Sequence, residues 1–110
     1  MEMNIRKSGA VDIVDIQGNL DTSTALEAEN FFSSMIEEGA RRILVNGTTL
    51  DYISSAGLRI LLVSGKKLKE LEGELRLTAL NESVHEVFEI SGFDTIFNVT
   101  VTEAEALRDF

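Results

Sequence analysis

Arg42-Ile43-Leu44-Val45-Asn46-Gly47-Thr48-Thr49-Leu50-Asp51-Tyr52-Ile53-Ser54-Ser55-Ala56-Gly57-Leu58 is the stretch on which the fold turns. Ile43 to Val45 is a short continuous apolar run, the pattern of a central strand covered on both faces. Leu58, Ile60, Leu61, Leu62 and Leu68 supply the apolar residues of a helix that begins near Ser55, runs to about Leu71 and is ended by Gly73. The residues between strand and helix read as a loop. Two adjacent serines therefore stand where a loop becomes a helix, a position in which a hydroxyl can be both presented and switched.

On the N-terminal side, Asn4 to Lys7 is a first strand, and Val11-Asp12-Ile13-Val14-Asp15-Ile16 alternates apolar with polar as a half-buried strand should. Ser8-Gly9-Ala10 turns the chain between them into an antiparallel opening hairpin. Gly18 ends the second strand, and Asp21-Thr22-Ser23-Thr24 opens a helix with Thr24 and Glu27 at capping-box spacing. Leu26, Phe31, Phe32, Met35 and Ile36 give that helix one apolar face before Gly39 stops it. On the C-terminal side, Leu75, Leu77 and Ala79 alternate with polar residues as a strand. Asn81-Glu82-Ser83 starts a short helix with Val84, Val87, Phe88 and Ile90, closed by Ser91-Gly92. Ile96 to Val99 adds a last strand, and Thr102 with Glu105 forms a second capping box. The order ββαβαβαβα predicts a single α/β domain with a mixed sheet of about five strands and about four helices. The later strands are parallel because each is joined to the next through a helix.

A chain of 110 residues, 44% hydrophobic, suits one compact domain. It contains no cysteine, so disulfides, a thiol nucleophile and thiolate metal sites are excluded. No segment approaches the roughly 20 apolar residues needed to span a bilayer, and Met1 to Lys7 lacks the apolar run of a signal peptide. The expected setting is the cytoplasm. A net charge of -9 argues against nucleic acid or an anionic membrane as partner and fits a protein with a basic face. A monomer is the expected state of the free chain, with Phe93, Phe97 and Phe110 as candidates for self-association or docking.

Ser55 is the sharpest chemical candidate. The start of a helix offers unpaired backbone N–H groups and a partial positive charge, so a phosphate on a first-turn hydroxyl is held favourably. It would add about -1.5 to -2 charges where there were none, without melting the helix. The plainer reading is capping, and both fit if Ser54 caps while Ser55 is exposed. Asp21, at a similar strand-to-helix edge, either bonds the serine loop, helps to position a metal-bound phosphate donor or caps the first helix; Thr24, one turn away, carries the same ambiguity. Tyr52, Ile53, Ser54, Ser55 and Ala56 form the candidate partner surface, with one of Tyr52 and Ile53 expected to turn into the core. Gly57 points to close helix packing or backbone access. Lys66, Lys67 and Lys69 read as a solvated helix face. His85, the only histidine, has no nucleophile elbow to serve, and nothing suggests a metal, a cofactor or catalysis.

At these residues a family resemblance emerges. Asp51-Tyr52-Ile53-Ser54-Ser55-Ala56-Gly57-Leu58-Arg59 resembles the signature loop of the STAS domain, as found in bacterial anti-sigma factor antagonists, and Gly18-Asn19-Leu20-Asp21 resembles a second, weaker motif of that family. The matching order of strands and helices spans essentially the whole chain. The resemblance implies a phosphoacceptor two positions before the loop glycine, which is Ser55 here, with Asp21 on a nearby acidic position and Asn46 at the end of the central strand. It implies a regulator, not an enzyme, that binds an anti-sigma factor doubling as a serine kinase and thereby frees a sigma factor. Phosphorylation would release the partner, and a PP2C-type phosphatase would reset the protein. Many antagonists carry an aspartate immediately before the acceptor; Ser54 replaces that charge with a second hydroxyl, the alternative acceptor. The stretch Asn46 to Thr49 also lacks an acidic residue sometimes found ahead of the loop. A competing reading is a non-switching scaffold or adaptor subunit of a signalling or transport complex, which would not require a hydroxyl at Ser55.

Overall fold

A computed structural model describes all residues, 1–110. Strand β1 (Glu2–Ser8) turns through Gly9-Ala10 into the antiparallel β2 (Val11–Leu20). Gly9 takes φ +58°, the left-handed conformation glycine adopts without steric cost. Helix α1 (Ala25–Glu37) carries the chain to β3 (Arg42–Asn46), parallel to β2. A short strand β4 (Leu50–Ile53) then leads into α2 (Ser55–Glu70), which returns to β5 (Glu74–Thr78) beside β3. Helix α3 (Glu82–Ser91) and a single 3-10 turn, Phe93–Thr95, lead to β6 (Asn98–Thr100), and α4 (Glu103–Leu107) follows. The sheet runs β1-β2-β3-β5-β6, with β4 paired to the far end of β2. It is a six-stranded mixed sheet with the opening hairpin antiparallel and the other pairings parallel. No helix is long and apolar enough to cross a membrane.

Residue alternation divides the sheet into two faces. Val14, Ile16, Ile43, Val45, Leu75 and Leu77 point to one side, where Phe32 of α1, Leu61 and Leu68 of α2 and Phe88 of α3 close the main core. Each such side chain, fully buried, contributes roughly 1.5–3 kcal/mol by transfer from water. Val11, Ile13 and Leu44 point to the other side, where Ala106, Leu107 and Phe110 cover them. This C-terminal cover buries Val11 and Ile13, so β2 is not half-buried as its alternation predicts; Asp12, on the same face as Val14 and Ile16, is buried too and ion-paired with Lys7 at 2.9 Å. Arg76 is likewise buried in β5, donating to the carbonyls of Ala106, Arg108 and Asp109 and stacking 4.4 Å from the Phe110 ring centroid.

Several boundaries differ from the sequence reading. Gly18 does not end β2; its φ of +98° accommodates a shift of register, and the strand continues to Leu20. Leu50 to Ile53 is a sixth strand, not a loop. Leu26 is 68% exposed and lies off the buried face of α1, which Ala28, Phe32, Met35 and Ile36 make up. The residue in the left-handed conformation after α2 is Glu72; Gly73 is needed because a Cβ there would lie 2.1 Å from the carbonyl oxygen of Arg41. Phe97 is buried, Phe93 packs against its ring edge, and Phe110 covers Arg76, so none of the three is an open docking aromatic.

Candidate functional site

The serine loop sits where β4 hands over to α2, and β4 exists because the chain jogs after β3. Gly47 N–H donates to Thr78 O, Gly18 N–H donates to Thr49 O and the Thr49 hydroxyl donates to Ile16 O, at 2.9–3.0 Å. These bonds turn the chain out of register with β3 and lay Leu50 to Ile53 along the end of β2, from Gly18 across the register shift to Leu20. The Asn81 side chain works twice, donating to Leu50 O at 2.9 Å and accepting Val84 N–H at 2.8 Å as the cap of α3. It thus ties α3 to the strand that presents the serines. An asparagine at a helix start signals a cap, but nothing local reveals the tether to Leu50.

Within β4, Ile53 is only 1% exposed and belongs to the core, which removes it from the candidate partner surface; Tyr52 is 50% exposed. Ser54 has extended backbone, and its hydroxyl accepts Gly57 N–H at 3.4 Å, a long capping bond. Its own N–H donates to Leu20 O at 3.0 Å. Ser55 is the first residue of α2 and is exposed, with no protein hydrogen bond to its hydroxyl, while Ala56 is half-buried. The two serines are therefore distinct: one closes the helix and the other faces solvent. Gly57 lets α2 approach β2, since a Cβ there would lie 2.5 Å from Leu20 O and 2.9 Å from Ile53 Cγ1.

Asp21 and Thr24 shape the neighbouring loop. The Thr24 hydroxyl donates to Asn19 O at 2.8 Å and accepts Asp21 N–H at 2.9 Å, so it folds the loop back on β2 and makes no side-chain cap to α1. The Asp21 carboxylate accepts the Ser23 hydroxyl at 2.7 Å and Ser23 N–H at 2.9 Å; these bonds, the hydroxyl foremost, hold it below the usual carboxylate range. Asp21 is thus neither the cap of α1 nor bonded to the serine loop. The two loops meet instead through the backbone of Leu20, immediately before Asp21.

Asn46 lies at the end of β3 but turns to the opposite face. Its amide accepts Thr48 N–H and the Thr48 hydroxyl and donates to Glu103 at 3.0 Å. Glu103 and Asp15 both hold Arg6, each with a contact of 2.6 Å. The Arg6 guanidinium, with help from the Asn46 amide, keeps the Glu103 carboxyl below its ordinary range, and the two carboxylates raise the pKa of Arg6. Asn46 accordingly supports the jog that leads to β4 and does not touch the serines.

Electrostatics single out α2. The first turns of α1, α3 and α4 each contain a glutamate that compensates the positive helix end, whereas the first turn of α2 contains no acidic residue. An uncompensated N-terminus on a 16-residue helix, carrying an exposed hydroxyl in that turn, is chemically suited to a dianionic phosphate. A groove of about 680 Å³ opens beside this point, between Ala25, Glu29 and Ser33 of α1 and Ala56, Arg59 and Val63 of α2.

The comparisons agree with this arrangement. The STAS domain profile matches residues 2–106. A protein of Bordetella bronchiseptica named as an anti-sigma factor antagonist, BtrV, is 38% identical over 110 residues, covering 100% of this chain and 95% of its own. The crystal structure of an anti-sigma factor antagonist from Thermotoga maritima superimposes with a TM-score of 0.92 at 20% identity, over 97% of this chain and 92% of that one. The phosphorylated form of the Bacillus cell fate determinant SpoIIAA superimposes with a TM-score of 0.73 at 22% identity, covering 96% of each chain. The chain belongs to the STAS domain family and, within it, to the anti-sigma factor antagonists.

Proposed function

We propose that this protein is a partner-switching regulator with Ser55 as its switch. Unphosphorylated, it binds an anti-sigma factor that is also a serine kinase and so frees a sigma factor. Phosphorylation of Ser55 ends the complex, and a PP2C-type phosphatase restores it. The protein regulates by binding and carries no catalytic group of its own.

The observation that carries this reading is the exposed Ser55 hydroxyl in the one first turn without a compensating carboxylate. Ser54 is occupied as the cap, which favours Ser55 over its neighbour as acceptor. That SpoIIAA is known in a phosphorylated form supports the same chemistry on this fold. A phosphate would meet free N–H groups, so α2 would stay folded and the change would be one of surface charge and bulk. Tyr52, Ser54, Ser55, Ala56 and the groove between α1 and α2 would then form the face that the partner reads.

The test is binding of the anti-sigma factor to the protein carrying authentic phosphoserine at position 55, followed by titration calorimetry. At least a tenfold loss of affinity, with circular dichroism unchanged, is the expected result. Undiminished affinity would sink the interface mechanism and favour a constitutive adaptor.

A further inference from the structure

The C-terminal half of α2 borders a second groove, whose lining includes neither serine. Its walls are Leu62, Leu75, Ile96 and Phe97, with the ammonium-bearing Lys66 and Lys69 on its rim. The Phe97 ring packs edge-on to Phe88 and Phe93, with centroids 6.3 Å apart in both cases, which fixes one wall. Gly65 keeps the helix close to that ring, because a Cβ there would come within 2.9 Å of Phe97 Cε1. Ile96 is 59% exposed and forms an apolar lip. The groove measures about 530 Å³, within the ~300–1,000 Å³ typical of small-ligand sites.

The charge on this groove runs against that of the molecule. In a chain of net charge -9, neither Lys66 nor Lys69 has a carboxylate within 4.0 Å. The one acidic side chain lining the groove, Glu74, is committed to Arg76 at 3.1 and 3.2 Å. The result is an apolar trough with two uncompensated cations at its edge. We infer that it binds a linear alkyl carboxylate, with the tail along Leu62, Leu75, Ile96 and Phe97 and the head group between Lys66 and Lys69.

Titration of the full chain with sodium decanoate below its micelle-forming concentration, followed by 1H–15N NMR, tests this. Saturable shifts confined to the amides of Gly65, Lys66, Lys69, Gly73 and Phe97 are expected. Octanoate should bind roughly fifteenfold more weakly, at about fourfold for each of the two methylenes lost. Ile96→Asp, at an exposed position that leaves the core intact, should weaken decanoate at least tenfold, as should Lys66→Glu combined with Lys69→Glu. Equal binding of decyltrimethylammonium, shifts that never saturate, or Ile96→Asp behaving as wild type would each overturn the assignment. Movement of the same amides with protein concentration alone would give the groove to a second copy and overturn it as well.

Discussion

Replacing Gly57 by Ala should lower stability, although the same change inside an ordinary helix stabilises by about 1 kcal/mol. The added Cβ would lie 2.5 Å from Leu20 O, 2.8 Å from Leu20 Cγ and 2.9 Å from Ile53 Cγ1. The first contact is with backbone, which cannot rotate away, so the start of α2 must lift. Overpacking of this kind costs about 1–3 kcal/mol. Lifting also stretches the bond from Ser54 N–H to the same Leu20 oxygen, now 3.0 Å, at a further cost of about 1 kcal/mol. Set against the gain in helix propensity, the net loss is about 1–3 kcal/mol. For a domain of this size that lowers Tm by roughly 10 °C. Urea melts and calorimetry of Gly57→Ala against wild type measure it. A variant as stable as wild type, or more so, would refute the close approach of α2 to β2 and the seating of the serine loop built on it.

Four further outcomes follow from the same geometry. Ile53→Ala should cost about 2–5 kcal/mol in urea melts because Ile53 is a core residue, whereas Tyr52→Ala should stay within about 0.5 kcal/mol and instead weaken binding of the anti-sigma factor. Ser54→Ala should cost only about 0.5 kcal/mol, at the low end for a cap, because its bond to Gly57 N–H is 3.4 Å long. Glu103→Gln should lose about 1 kcal/mol or less at pH 7, since Arg6 and Glu103 are partly exposed. The folded Glu103 pKa lies below the ordinary 4.5, so its contribution is full above that value and is lost as pH falls through the lowered folded one; the gap between wild type and variant in urea midpoints should close on the acid side.

Helix α2 and its serines were legible because apolar spacing and a run of good helix formers agree over 16 residues. The hairpin and the parallel succession were legible for the same reason. Strand β4 was hidden because only its two ends, Leu50 and Ile53, are buried, a spacing of three that lacks the alternation of a strand. Its existence depends on the bulge at Gly18, which in one dimension looks like a strand end. Arg6 and Glu103 stand 97 positions apart, and no local pattern joins them. The burial of Arg76, one of the polar residues alternating along its strand, was not legible because the strap that covers it comes from the far end of the chain. At the site, the division of labour between Ser54 and Ser55 was readable as a possibility of capping chemistry. The roles of Thr24 and Asn46 were not, since each depends on a loop folding back on a neighbouring strand.

The most direct measurement is phosphate mapping. The chain is incubated with ATP and the anti-sigma factor proposed to act as its kinase, and the product is analysed by intact mass and peptide mass spectrometry alongside Ser54→Ala and Ser55→Ala. The account predicts a single phosphate on Ser55, retained in Ser54→Ala and absent from Ser55→Ala. Phosphate on Ser54, or an unmodified chain in the presence of an active kinase, would contradict it.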